Sequence, residues 1–208
     1  MVMPLVLIIS APSGSGKSTL VKRLIDENPN IDFSTSVTTR PPRAGEVDGE
    51  SYDFVDRETF LRMRDNDELL EWAEVFGHYY GTCRKILDES CSRGHDLILD
   101  IDVQGARQLA EKLPEAITVF ILPPSKKVLE LRLRKRSSDP EEVIERRLRD
   151  AGKEVAGAGD YNYVLVNDKL EETFEELSSI LVAERRRNER MTHKIQSIVE
   201  SFREGVSE

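Results

Sequence analysis

Residues Ala11 to Thr19 read Ala-Pro-Ser-Gly-Ser-Gly-Lys-Ser-Thr, between the apolar run Leu5 to Ile9 and a helical pattern that begins near Lys17. Strand, glycine-rich turn and helix in that order are the setting a phosphate-binding loop requires. Glycine at 14 and 16 admits backbone conformations closed to other residues, so the N–H groups of Ser13 to Lys17 can curl round a phosphate. The helix N-terminus adds its partial positive charge. In such a loop Lys17 reaches the outer phosphates of a nucleoside triphosphate, and the Ser18 hydroxyl ligates the Mg²⁺ that bridges them. The pattern G-x-x-x-x-G-K-S/T departs at one position, where Ala11 stands for the first glycine. The competing reading, a Ser/Gly-rich turn capping an ordinary helix, does not account for a strand leading straight into Gly16-Lys17-Ser18-Thr19.

A chain of 208 residues, 38% hydrophobic and 33% charged, is long enough for one domain with a substantial core. Its net charge of −9 argues against general affinity for nucleic acid or anionic membranes, which need a field of the opposite sign. Met1 to Ile9 has no basic lead and is too short to span a bilayer, so a buried strand and a cytoplasmic protein are expected. Cys83 and Cys91 form neither a disulfide framework nor a zinc spacing and read as plain thiols. His78, His95 and His193 fall in no triad or metal spacing.

Leu20, Val21, Leu24 and Ile25 give a helical stripe that ends at Asn28-Pro29. From Ile31 to about Cys83 the texture turns to short alternating stretches with turns at Asp48-Gly49 and Gly77-His78, and one short helix near Glu58 to Arg64. Parallel-sheet grammar then resumes: a strand at Leu97 to Ile101, a helix at Gln104 to Leu113 and a strand at Ile117 to Ile121. Ser125 caps a helix to about Arg136. Asp139 as N-cap, Pro140 at the first helical position and Glu142 open another, whose face is Ile144, Leu148, Ala151 and Val155. Tyr163 to Val166 reads as the last core strand, and one long helical pattern runs on from Lys169. Nearly all-apolar strands alternating with helices mean an α/β fold, a parallel sheet covered by helices on both faces.

Asp100 and Asp102 stand at the carboxyl end of a buried strand, where ligands sit in open α/β sheets. A carboxylate there holds Mg²⁺ directly or through water, or else caps the helix that follows. In Ser36 to Glu46 two prolines impose near-polyproline geometry, which points Arg40 and Arg43 to one side as a double fork for a phosphate monoester. Tyr52 and Tyr80 are available as phenolic donors beside them.

Ala11 to Thr19, Ser36 to Glu46, Glu71 to Ala73, Tyr79 to Thr82, Leu99 to Asp102 and Val166 to Asp168 occur in the order found in guanylate kinases, which the chain resembles over roughly residues 4–185. The resemblance implies a P-loop NTPase core at about 4–33, 84–126 and 157–185, with a strand-rich GMP-binding lobe inserted at about 34–83. A helical lid would cover about 127–156, and about 186–208 would be a C-terminal helical extension. It implies transfer of a phosphate from ATP to GMP with Mg²⁺, and a catalytic set of Lys17, Arg40, Arg43, Arg136 and Arg147. ATP would be held by Ala11, Pro12, Ser13, Gly14, Ser15, Gly16, Lys17, Ser18, Thr19, Arg132, Arg136 and Asn167. GMP would be held by Ser36, Arg40, Arg43, Glu46, Tyr52, Glu71, Tyr80, Thr82, Asp100 and Asp102, with Ser18 and Asp100 also at the metal. Glu46 would orient the arginines, and Glu71, Thr82 and Asp102 would face guanine. Lys135 and Ser137 flank Arg136 where many members have glycine, and Thr82 replaces a serine seen in some.

Guanine offers two adjacent donors, N1–H and the 2-amino group, and a carboxylate offers two acceptors at matching separation. Adenine lacks that pair, so Glu71 would discriminate by about 2–4 kcal/mol. An acceptor phosphate is mostly dianionic at neutral pH, so no general base is needed, only cations and in-line alignment. Arg132 and Arg136, four apart on a helix, suit either that purpose or a solvated stripe. Arg185, Arg186, Arg187 and Arg190 read as an exposed helix face or an oligomer contact. The alternatives are a P-loop kinase for another phosphorylated small molecule, and a non-catalytic module that holds phosphorylated peptides in the same lobe.

Overall fold

Five successive buried residues, Val6–Ser10, form β1, the middle strand of the main sheet. The computed structural model describes residues 4–204 apart from 44, 76 and 137–139, and for Arg136, His193 and Glu204 it describes the main chain alone. After β1 come α1 (Lys17–Asp26), β2 (Ile31–Phe33), β3 (Val37–Thr38), β4 (Asp53–Phe54), α2 (Arg57–Asp65), β5 (Leu69–Val75) and β6 (His78–Cys83). They are followed by α3 (Arg84–Arg93), β7 (Asp96–Asp100), α4 (Val103–Lys112), β8 (Ile117–Leu122) and α5 (Lys126–Arg136). The remainder is α6 (Glu141–Ala156), β9 (Tyr163–Val166), α7 (Leu170–Arg185) and α8 (Asn188–Glu204).

The main sheet is parallel in the order β2-β7-β1-β8-β9. Alternate side chains of β1 serve opposite faces. Leu7 and Ile9 pack with Leu20 and Leu24 of α1 and Phe174 and Leu177 of α7. Val6 and Ile8 pack with Ala106 and Leu109 of α4 and Leu87 of α3. Each such buried side chain contributes about 1.5–3 kcal/mol, and together they make the covered α/β sheet that the apolar runs predicted. Ile31–Phe33 joins this sheet as its edge; the change of texture at Ile31 groups it with the strand-rich segment, three residues being too few to show a period, whereas the core bound near residue 33 puts it here. Helix α3 was not anticipated, because its apolar face is little more than Ile86 and Leu87.

The smaller sheet runs β4-β3-β6-β5, with β5 and β6 an antiparallel hairpin turning at Gly77, whose φ is +82°. Phe60 of α2 stacks on Tyr79 with ring centroids 5.3 Å apart, closing its core. Helices α5 and α6 pack through Leu129, Leu133, Ile144, Leu148 and Ala151. Pro140 precedes the first helical residue of α6 instead of occupying it, with an extended ψ of 151°, and Asp139 lies outside the described residues. Val155 is 38% exposed and does not continue the stripe.

The helical pattern from Lys169 divides at Arg186 into α7 and α8; Arg186 and Arg187 are exposed, as expected, whereas Arg185 and Arg190 are partly buried against the main sheet. Arg185 Nε donates to Asp96 at 2.6 Å, and the same carboxylate accepts the Leu5 N–H at 2.8 Å. Arg190 donates to the carbonyls of Pro4 at 3.3 Å and Glu115 at 3.1 Å. These residues lie at or just ahead of the starts of β1, β7 and β8, where carbonyls and Asp96 offer acceptors that a charge pattern alone does not reveal. Arg187 pairs with the buried Glu184, which also accepts from Tyr163 Oη at 2.5 Å. Replacing Arg185 with Met is expected to lower stability by about 1 kcal/mol, read as a lower urea midpoint; an unchanged midpoint would return Arg185 to a solvated role.

Candidate active site

Gly14 and Gly16, with φ of +93° and +92°, bend the turn after β1 into the left-handed region that other residues rarely adopt. A Cβ on Gly16 would also collide with the side-chain amide of Asn167, and one on Gly14 would lie 3.1 Å from Leu133. Asn167 is buried, its Nδ2 donates to the Ser15 carbonyl at 2.7 Å, and its N–H donates to Leu122 at 2.8 Å. Asn167 therefore props the loop from the segment after β9. Pro12 and Ser15 are buried, Ala11 packs partly into the core, and Ser13, Ser18 and Thr19 are exposed.

Ile9 and Asp100 are register partners, so β1 and β7 end level, and Lys17 at the start of α1 pairs with the Asp100 carboxylate. Among the described residues no group of three or more His, Cys, Asp or Glu side chains is placed to hold a metal. The Ser18 hydroxyl and the Asp100 carboxylate are hard oxygen donors that suit Mg²⁺, an ion that takes its remaining ligands from phosphate and water.

On the facing side, Glu71 of β5 and Thr82 of β6 are register partners, and Glu71 is 3% exposed. Thr82 Oγ1 donates to Glu71 Oε1 at 2.7 Å. Asp102 caps α4, accepting the Gly105 N–H at 2.8 Å, and its other oxygen is 3.3 Å from Gln104 Nε2. Glu71 closes on the same turn, since a Cβ on Gly105 would lie 2.9 Å from Glu71 Cδ. Burial pushes the Glu71 carboxyl up to about 7; Asp102 adds to this, while the Thr82 hydrogen bond and Lys112 oppose it.

Arg40 is locked inside the lobe. Its guanidinium donates to Tyr80 Oη at 3.1 Å, the Pro41 carbonyl at 2.7 Å and Glu46 at 2.8 Å, with the rings of Tyr52 and Phe54 beside it. The hydrogen bond from Arg40 holds the Glu46 carboxyl below its ordinary range. Arg43 is exposed and gives Glu46 its backbone N–H at 2.7 Å, so Glu46 fixes one guanidinium and only the main chain of the other residue. Ser36 is half-buried, and its carbonyl accepts the Asp53 N–H at 3.0 Å. Burial raises the Tyr52 hydroxyl, and the charge of Asp100 adds to this, which places the lobe within electrostatic reach of the loop.

Arg132 of α5 donates to the Asn167 carbonyl at 2.9 Å, beside the loop. Arg147 is half-buried on α6, and the side chain of Arg136 lies outside the described residues. Glu154 escaped the sequence reading. Its Oε2 is shielded from solvent with no hydrogen-bond partner among the described residues, and it feels both Asp102 and Lys17. Burial, then Asp102, pushes its carboxyl up to about 7. Glu154 follows Ala151 by three residues, so the helical period marked it as well as Val155, and apolarity chose wrongly between them.

A family model described as Guanylate kinase matches residues 3–184. A guanylate kinase of Carboxydothermus hydrogenoformans is 46% identical over 191 residues, 92% of this chain and 94% of that protein. One of Koribacter versatilis is 54% identical, over 86% of this chain and 78% of its own. The crystal structure of guanylate kinase from Anaplasma phagocytophilum superposes with a TM-score of 0.74 at 38% identity, covering 91% of this chain and 90% of that one.

The raised Glu71 carboxyl has a consequence for stability. Between its ordinary value of 4.5 and about 7 the folded state holds this proton more tightly than the unfolded chain does. Stability is therefore lost as pH rises through that window. Relative to Glu71→Gln, the unaltered protein is expected to lose about 2 kcal/mol from pH 4.5 to 7.5 in urea unfolding; a constant difference would place the carboxyl at its ordinary value.

Proposed function

The chain belongs to the guanylate kinase family and transfers the γ-phosphate of ATP to GMP, and we propose that the residues gathered above divide this work as follows. The loop Ala11 to Thr19 holds the triphosphate, and Asn167 keeps its shape. Lys17 exchanges Asp100 for the outer phosphates, leaving the Asp100 carboxylate and the Ser18 hydroxyl as donors to Mg²⁺. Bound there, Mg²⁺ supplies positive charge to the phosphates and holds their geometry.

GMP lies across the cleft. Arg40, fixed by Glu46 and Tyr80, and the exposed fork of Arg43 take its phosphate, with Ser36 and Tyr52 beside them. Glu71, Thr82 and Asp102 take guanine: Glu71 accepts from N1–H and the 2-amino group, and Thr82 keeps the carboxylate turned toward them. The reaction needs no general base, because the acceptor phosphate, with a second pKa of about 6, is itself the nucleophile. Helices α5 and α6 act as the lid, bringing Arg132, Arg136 and Arg147 over the transferring group, where cations matter most in the transition state. The 34–83 segment serves as the GMP lobe of one domain spanning about 4–185, and the proposed setting is the cytoplasm.

The observation that carries this reading is a buried carboxylate that accepts from Thr82 and is set against the turn where α4 begins, beside Asp102. In a coupled assay of ADP formation, Lys17→Met is expected to lower kcat by about 10²-fold or more with an unchanged melting temperature; near-normal kcat would remove Lys17 from the reaction. Glu71→Gln is expected to cut the GMP-over-AMP ratio of kcat/KM by about 10-fold or more; an unchanged ratio would rule out base reading by Glu71.

A further inference from the structure

Leu70 and Trp72 flank Glu71 on β5, the outer strand of the smaller sheet. Residues two apart on a strand turn their backbone polar groups to the same edge. Helix α4 meets that edge with two side chains. Gln108 Nε2 donates to the Trp72 carbonyl at 2.7 Å, and its Oε1 accepts the Trp72 N–H at 3.4 Å. Lys112 Nζ donates to the Leu70 carbonyl at 2.6 Å. A carboxamide carries the donor and acceptor of a peptide group, so Gln108 pairs with Trp72 much as a neighbouring strand would.

Gln108 and Lys112 are four apart and share a face of α4. The other face is sunk in the main core through Ala106 and Leu109, and the first turn of the same helix, at Asp102 and Gly105, is what the Glu71 carboxylate lies against. One rigid element therefore grips the backbone on both sides of Glu71 and limits the depth of its side chain.

We propose that Gln108 and Lys112 are positioning residues for base selection, fixing the height and angle at which Glu71 meets the base of the acceptor nucleotide. The inference rests on the reading of Glu71 as the guanine-binding carboxylate. Two parallel hydrogen bonds to adjacent donors tolerate little displacement of the acceptor, since hydrogen bonds weaken steeply with angle. A β5 edge released from α4 would blur the distinction between guanine and adenine before it impaired phosphate transfer. Lys112 has a second effect. The groups facing Glu71 are Thr82 from β6, Asp102 at the start of α4 and Lys112 at its end, and Lys112 is the cation that opposes burial.

The test measures kcat and KM for GMP and AMP at saturating ATP, with melting temperatures, for the full chain and for Gln108→Leu, Lys112→Met, Lys112→Arg and Glu71→Gln. The GMP-over-AMP ratio is expected to fall about 3- to 10-fold in Gln108→Leu and Lys112→Met. The loss is expected in KM for GMP, with kcat within about twofold. In Lys112→Met the acidic limb of the kcat/KM profile for GMP moves to higher pH, and Lys112→Arg restores it. An unchanged ratio, or an equal loss for both nucleotides, in variants made beside a Glu71→Gln that does lower the ratio would overturn the proposal whatever the melting temperatures do. An unchanged ratio in Glu71→Gln itself would overturn the guanine reading and this inference with it.

Discussion

The Glu71 carboxylate is held out of water between β5 and the first turn of α4, and Thr82, Gln108 and Lys112 hold it and its strand there. Burial of an acceptor-only group is unfavourable until donors reach it. Thr82 supplies one and Lys112 lends charge from the far end of α4, yet neither cancels the burial, which is why the carboxyl stays protonated well above its usual range. In the proposed reading guanine, with two donors side by side, completes the set, and a base without those donors leaves the same carboxylate buried and badly paired.

The donor half depends on alignment. β1 and β7 end level, which brings the phosphate loop and Asp100 to one crevice, and the loop itself is shaped by two left-handed glycines and by Asn167. Gly16 has a double reason to be glycine, its backbone angle and the amide pressed against it. Helix α5 covers Gly14 with Leu129 and Leu133, and α6 turns Glu154 toward Lys17 and Asp102. Helix α5 thus packs on the loop, and α6 brings a carboxylate within electrostatic reach of Lys17 and Asp102.

Much of this was legible in the chain itself. The strand before Ala11, the Gly-Lys-Ser-Thr helix start and the apolar runs at 97–101 and 117–121 carry their meaning locally, since a buried parallel strand has little choice of composition. What stayed hidden depends on partners distant in sequence. Nothing near Arg185 or Arg190 announces Asp96, Pro4 or Glu115 as their acceptors. Gln108 and Lys112 look like ordinary exposed helix residues until β5 is laid beside them. The Arg40-Pro-Pro-Arg43 brace suggested two equivalent forks, whereas Glu46, Tyr80 and the aromatic rings claim Arg40 alone.

A site-resolved NMR titration of the Glu71 side-chain carboxyl, in the protein alone and with GMP bound, tests the central claim most directly. The expected result is a midpoint near 7 in the protein alone that falls by at least about one unit with GMP, because donors on guanine favour the charged form. A midpoint near 4.5 without nucleotide, or a midpoint near 7 that GMP leaves in place, would contradict it.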